Sequence, residues 1–190
     1  MKLKTLRAFK WGAAILGCLF VISFFVPHSP PTGHERPDSP NLVRKRMLEM
    51  KESVERFRRE YDRFPVLGSS QTLDLELRSD GAFVAALLGR SEMLNPKNQP
   101  FYQPSLAKNS MNGLQDLSGG TSDDPQDLSV LDAFGERYYV LLGLDEDGRL
   151  LDPQSRRTDN PIYLKTAIAI YSSGPDRDPK TWEDNITSWE

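Results

Sequence analysis

Cysteine is nearly missing from this chain. Cys18 is the one residue of its kind, so no intrachain disulfide forms and no multi-cysteine zinc site can be built. Histidine is almost as scarce, and both residues, His28 and His34, fall in one proline-rich stretch, PHSPPTGHERPD. That leaves no Ser/His/Asp set elsewhere, and no phosphate-cradling glycine loop is present. Scattered carboxylates without a partner at defined spacing point away from an enzyme, and no small-molecule substrate is identified. Carboxylates paired only by folding are the one catalytic arrangement left open. A basic surface is missing too. The net charge is −3, and from Asn112 to Glu190 there are 7 Lys/Arg against 16 Asp/Glu. Such a half repels phosphate, which excludes nucleic acid as a partner.

Long apolar runs are absent but for one, Trp11 to Val26 (WGAAILGCLFVISFFV). It is somewhat shorter than the ~20 residues of a usual spanning helix. Phe9 and the stem of Lys10 extend it at one end. Lys2, Lys4, Arg7 and Lys10 precede it and no basic residue immediately follows. This asymmetry predicts a single-pass membrane protein with a cytoplasmic amino terminus and the main domain on the other side. A cleaved signal peptide would want small residues where Ser23-Phe24-Phe25-Val26 stand. A lipoprotein signal is visible in Ile15-Leu16-Gly17-Cys18, yet the chain stays apolar beyond the cysteine. An uncleaved signal anchor over residues 1–26 fits best. Residues 27–39 then form a proline-rich linker too polar to fold, a solvated spacer that carries both histidines. Residues 40–190 form the extracytoplasmic domain.

That domain begins with SPNLVRKRMLEMKESVERFRREYDRFP. Val43, Met47, Met50, Val54, Phe57 and Tyr61 recur at spacings of three and four, one stripe down an amphipathic helix. Ser39 caps it, Pro40 takes the first helical position, and Pro65 ends the run. Thr72 to Arg78 alternates leucines with polar residues and reads as a short strand or an extended docking segment. Asp80 to Leu88 predicts a short apolar helix closed by Gly89. Asn95 to Asp127 reads as a long irregular loop, with Phe101 and Tyr102 pinning its first part to the core.

Arg137 to Leu144 and Arg149 to Leu151 predict a hairpin across the turn Asp145-Glu146-Asp147-Gly148. The turn resembles a calcium EF loop only superficially, since Gly143 and Gln154 stand where ligands should be. Ile162 to Tyr171 is a further strand, and the tail beyond it carries Trp182 and Trp189 as apolar clamps. The expected fold is α+β, a helix across a small antiparallel sheet of about three strands. Its stripe is expected to face Tyr139, Leu141, Ile168 and Ile170.

Three motifs in order carry a family resemblance. They are Tyr61-Asp62-Arg63-Phe64-Pro65 at the helix exit, Asp132-Ala133-Phe134-Gly135 with Tyr138-Tyr139, and Tyr171-Ser172-Ser173-Gly174-Pro175-Asp176 with Asp184-Asn185-Ile186 and Ser188-Trp189. Together they resemble the pseudopilins, in particular the major pseudopilin of bacterial type II secretion. Ala85-Ala86-Leu87-Leu88-Gly89 before Asn95-Pro96 is similar to a subset of that family. The chain departs from the family at its amino terminus. Gly12 is followed by Ala13, Gly17 by Cys18, and no glutamate occurs before Glu35. No recognisable prepilin peptidase site is present, so filament assembly is not expected.

The resemblance implies a pilin-like fold and a non-enzymatic role by protein–protein contact with secretion-system or pseudopilin subunits. It also implies calcium in the C-terminal loop. Asp176 matches the first family aspartate, Asn185 stands at the second with Asp184 one step earlier, and Asp178 is an added candidate. The competing reading of these four is that they are solvated turn residues. The competing function is a stand-alone extracytoplasmic binding or sensor domain that reuses the fold.

Overall fold

The computed structural model describes residues 40–68, 74–118, 124–144, 148–156 and 158–189. The anchor, the linker, Ser39, Leu73 and the turn Asp145 to Asp147 lie outside the described residues. Among the described residues no helix is long and apolar enough to cross a membrane.

Helix α1 spans Pro40–Tyr61 with Pro40 as its first residue. Arg58 and Arg59 sit in the last turn, where they complement the negative end of the helix dipole. Asp62 leaves the helix in the left-handed region at φ 51°. Val43, Met47, Met50, Val54 and Phe57 are buried, each contributing about 1.5–3 kcal/mol of apolar transfer energy. Tyr61 is half-buried and packs its ring on Phe57 at 4.7 Å. Ser53, on the same buried side, gives its hydroxyl to the Glu49 carbonyl at 2.8 Å.

The stripe lies on an antiparallel sheet. Strands β1 (Leu75–Arg78), β4 (Tyr139–Leu142), β7 (Ile168–Ser172) and β8 (Ile186–Thr187) form it in that spatial order. Strands β2 (Gly113–Asp116) and β3 (Leu128–Leu131) make one separate antiparallel pair, and β5 (Leu150–Leu151) and β6 (Tyr163–Leu164) another. The class is therefore α+β with antiparallel sheets. Helix α2 (Gly81–Leu88) ends on Gly89, whose φ of 77° and close approach to Asn98 exclude a side chain: a Cβ would lie 2.7 Å from the Asn98 carbonyl oxygen. Ser79 ties the sheets together, its amide donating to Tyr138 and its carbonyl accepting from Val130.

Several expectations are corrected here. Leu150–Leu151 does not pair with β4; it pairs with Leu164 and Tyr163, while the neighbours of β4 are β1 and β7. The segment 162–171 is two strands, broken at Thr166, whose hydroxyl engages the Ile168 backbone instead of a ladder partner. The region 95–127 is not wholly irregular, since β2 lies within it.

The helix-facing register of β4 is also one residue off. Val140 and Leu142 lie opposite Ile170 and Ile168 and join the core under α1. Tyr139 and Leu141 lie opposite Tyr171 and Ala169 on the other face, with Leu150 and Trp182. Directly opposed residues share a sheet face, so Ile168 and Ile170 dictate which β4 residues meet the helix.

Phe101 and Tyr102 are buried as expected. Both of their amides donate to the Leu87 carbonyl. Asn95, fully buried, donates to the Ala86 and Gln99 carbonyls and accepts from the Tyr61 hydroxyl at 2.6 Å. One amide thus fastens the loop, α2 and the end of α1.

Candidate functional site

Two of the motifs that suggested a family meet in space through Asp132. This carboxylate is closed off from solvent at the start of the turn between β3 and β4. Its Oδ1 accepts the amides of Phe134 at 2.9 Å and Glu136 at 2.8 Å. Its Oδ2 accepts the Ser172 hydroxyl at 2.6 Å, and Ser172 Oγ in turn accepts the Gly174 amide at 3.2 Å. Burial pushes the Asp132 carboxyl above the usual aspartate range, opposed by these hydrogen bonds. The sequence offered both ends of this link but nothing that joined them.

From Ser172 the chain enters the acidic loop. Gly174 has φ 69°, and a Cβ there would lie 2.3 Å from the Asp184 carbonyl oxygen, so only glycine lets the two limbs of the loop close. The Asp176 amide donates to Asp184 Oδ2 at 3.2 Å. Asp176 itself accepts the Asp178 amide and the Thr181 hydroxyl. The Thr181 bond and then the Asp178 amide hold its carboxyl below the ordinary value, so it stays ionised. Asp178 accepts the Lys180 amide at 3.0 Å, the mark of an ordinary turn. Asn185 donates to the Pro179 carbonyl at 3.3 Å, while its buried Oδ1 has no hydrogen-bond partner among the described residues.

The structure therefore brings Asp176 and Asp184 to one place and turns Asp178 into its own bend. Among the described residues, no three His, Cys, Asp or Glu side chains form a metal-binding group. Calcium takes oxygen of any kind, and each carboxylate oxygen here keeps a free lone pair. The partnerless Asn185 oxygen is an acceptor of the type such an ion satisfies, so the donor set suits calcium in chemistry.

On the sheet face away from α1, the same loop forms one wall of a cleft of roughly 370 Å³. Its floor is Tyr139 stacked on Tyr171 at 4.5 Å with rings 10° apart. Trp182 leans on Tyr171 at 5.2 Å, and Trp189 meets the same ring edge-on at 6.2 Å. The tryptophans thus clamp the tail to the sheet as expected. Glu76 and Arg156, joined as an ion pair, line the cleft together with Gln154. The cleft escaped the sequence reading because its residues come from four separated segments. Gln154 was legible only as the residue standing where a calcium loop would close.

Compared with protein-family models, with curated proteins and with solved structures, the chain matches none.

Proposed function

We propose that the chain is a membrane-anchored, pseudopilin-like protein that acts without catalysis, by protein–protein contact, in a bacterial type II secretion or pilus-type system. The observation that carries this reading is the Asp132–Ser172 link. It joins two of the resembling motifs, 40 residues apart, beneath an amphipathic helix that seals an antiparallel sheet. In this reading the apolar run from Trp11 to Val26 holds the protein in the inner membrane, amino terminus in the cytoplasm, and the domain works in the periplasm. Calcium, where bound, would be held by Asp176, Asp184 and Asn185, with Asp178 at the margin. It would neutralise the acidic loop and fix its two limbs. Affinity capture of the full chain from cross-linked membranes tests the contact role. Secretion or pilus-assembly subunits are expected among the products; recovery of the chain alone would contradict it.

The second reading, an extracytoplasmic binding domain on the same fold, is favoured by the cleft on the far sheet face. A ligand that stabilises the protein while no assembly subunit is captured would select it.

A further inference from the structure

The cleft beneath Trp182 has a built-in chemistry that narrows its ligand. At roughly 370 Å³ it falls at the small end of the range of about 300–1,000 Å³ typical of ligand pockets. Tyr139 is not a free platform: the Arg78 guanidinium lies 3.9 Å from its ring centre, and Tyr171 stacks on it at 4.5 Å. Two partners that close occupy opposite faces. Trp182, partly buried, is the ring left at the rim of the cleft.

The polar groups around it are mixed in sign. Glu76 is held by Arg156 and lies 3.5 Å from the Tyr171 hydroxyl, so its position is set. Burial and then Glu76 raise the pKa of that hydroxyl, which stays a neutral donor. Gln154 offers both a donor and an acceptor, and Lys180, also in the lining, adds donors.

Each simple ligand class meets an obstacle here. A simple anion meets Arg156 and Lys180 but brings no donor to the Glu76 carboxylate. A cation faces Arg156 and Lys180. An apolar ligand would strip water from the Glu76–Arg156 pair without replacing its hydrogen bonds. A neutral ligand dense in hydroxyls meets none of these costs, because each hydroxyl both donates and accepts, and its C–H face packs on an indole. We propose that this cleft is a carbohydrate-binding site, with Trp182 as the stacking surface and Gln154, Glu76, Arg156 and Lys180 as the hydroxyl-reading groups.

The experiment uses the full chain in a non-glycosidic detergent, titrated with maltose, cellobiose and N,N′-diacetylchitobiose and with galacturonate as an anionic control. Binding is followed by ligand-observed saturation-transfer NMR. At least one neutral disaccharide is expected to bind in the millimolar range or tighter. Its affinity should fall at least tenfold in Gln154→Ala and in Trp182→Ala, and be unchanged in Leu48→Ala on the far helix. Gln154 is exposed, so its variant reports on binding even where loss of Trp182 loosens the tail. The proposal is overturned if no neutral disaccharide binds at millimolar concentration, if binding survives Gln154→Ala, or if galacturonate alone binds. Because the readout involves no secretion subunit, it stands or falls separately from the contact role.

Discussion

Asp132 accepts three hydrogen bonds while shut away from water, and each would be stranded by its loss. At about 1–3 kcal/mol for a buried group left unpaired, Asp132→Ala should be among the most destabilising single substitutions in the domain, as urea denaturation would show. Its pKa is raised by burial, so the folded protein keeps this proton where the unfolded chain, at about 3.9, has released it. The contribution is therefore favourable at low pH and is lost as pH climbs through the folded value. Asp132→Asn should flatten that slope in denaturation curves taken across the acidic range; an unchanged slope would assign it to another group. Asp176 works in the opposite sense, since its lowered pKa gives stability that is lost as pH falls, and its full exposure keeps the effect small. None of this was readable residue by residue. Asp132 and Ser172 look like turn formers in sequence, and only the fold closes the distance between them.

Helix α1 was legible almost to the residue, because its stripe repeats at the helical period and is bracketed by prolines at both ends. Phe57→Ala should cost about 3–5 kcal/mol, since the ring is fully buried against Tyr61 and Phe101. Leu48→Ala, on the solvent side and 48% exposed, should stay within about 0.5 kcal/mol of the parent by thermal melting. The strands were less transparent. Tyr139 to Leu142 is apolar at every position, so alternation gives no clue to which residues meet the helix. The partner decides it, through Ile168 and Ile170. Likewise the run from Ile162 to Tyr171 is uniformly strand-like in composition, and its break at Thr166 is a local side-chain bond that no periodicity reveals. The β5 pairing failed for a related reason: proximity in sequence favoured a hairpin with β4, but both edges of β4 were already taken.

At the scale of the molecule, an acidic loop, an aromatic cleft and a buried carboxylate converge on the chain's last segment. If the loop takes calcium, titrating the full chain with the ion should raise its melting temperature, and Asp176→Asn should reduce the shift. No change up to millimolar calcium would remove the metal from this picture and leave Asp176, Asp178, Asp184 and Asn185 as turn residues. The class of fold could be argued from one helix and several strand patterns. The cleft could not, since Glu76, Tyr139, Arg156 and Trp182 share no sequence neighbourhood. The claim that this domain is held by a membrane tether is tested most directly by the mature amino terminus of the purified protein and the cell fraction that holds it. It is expected to begin ahead of Trp11, with the chain retained in the carbonate-washed pellet. A start beyond Val26, with the domain released to the soluble fraction, would contradict it.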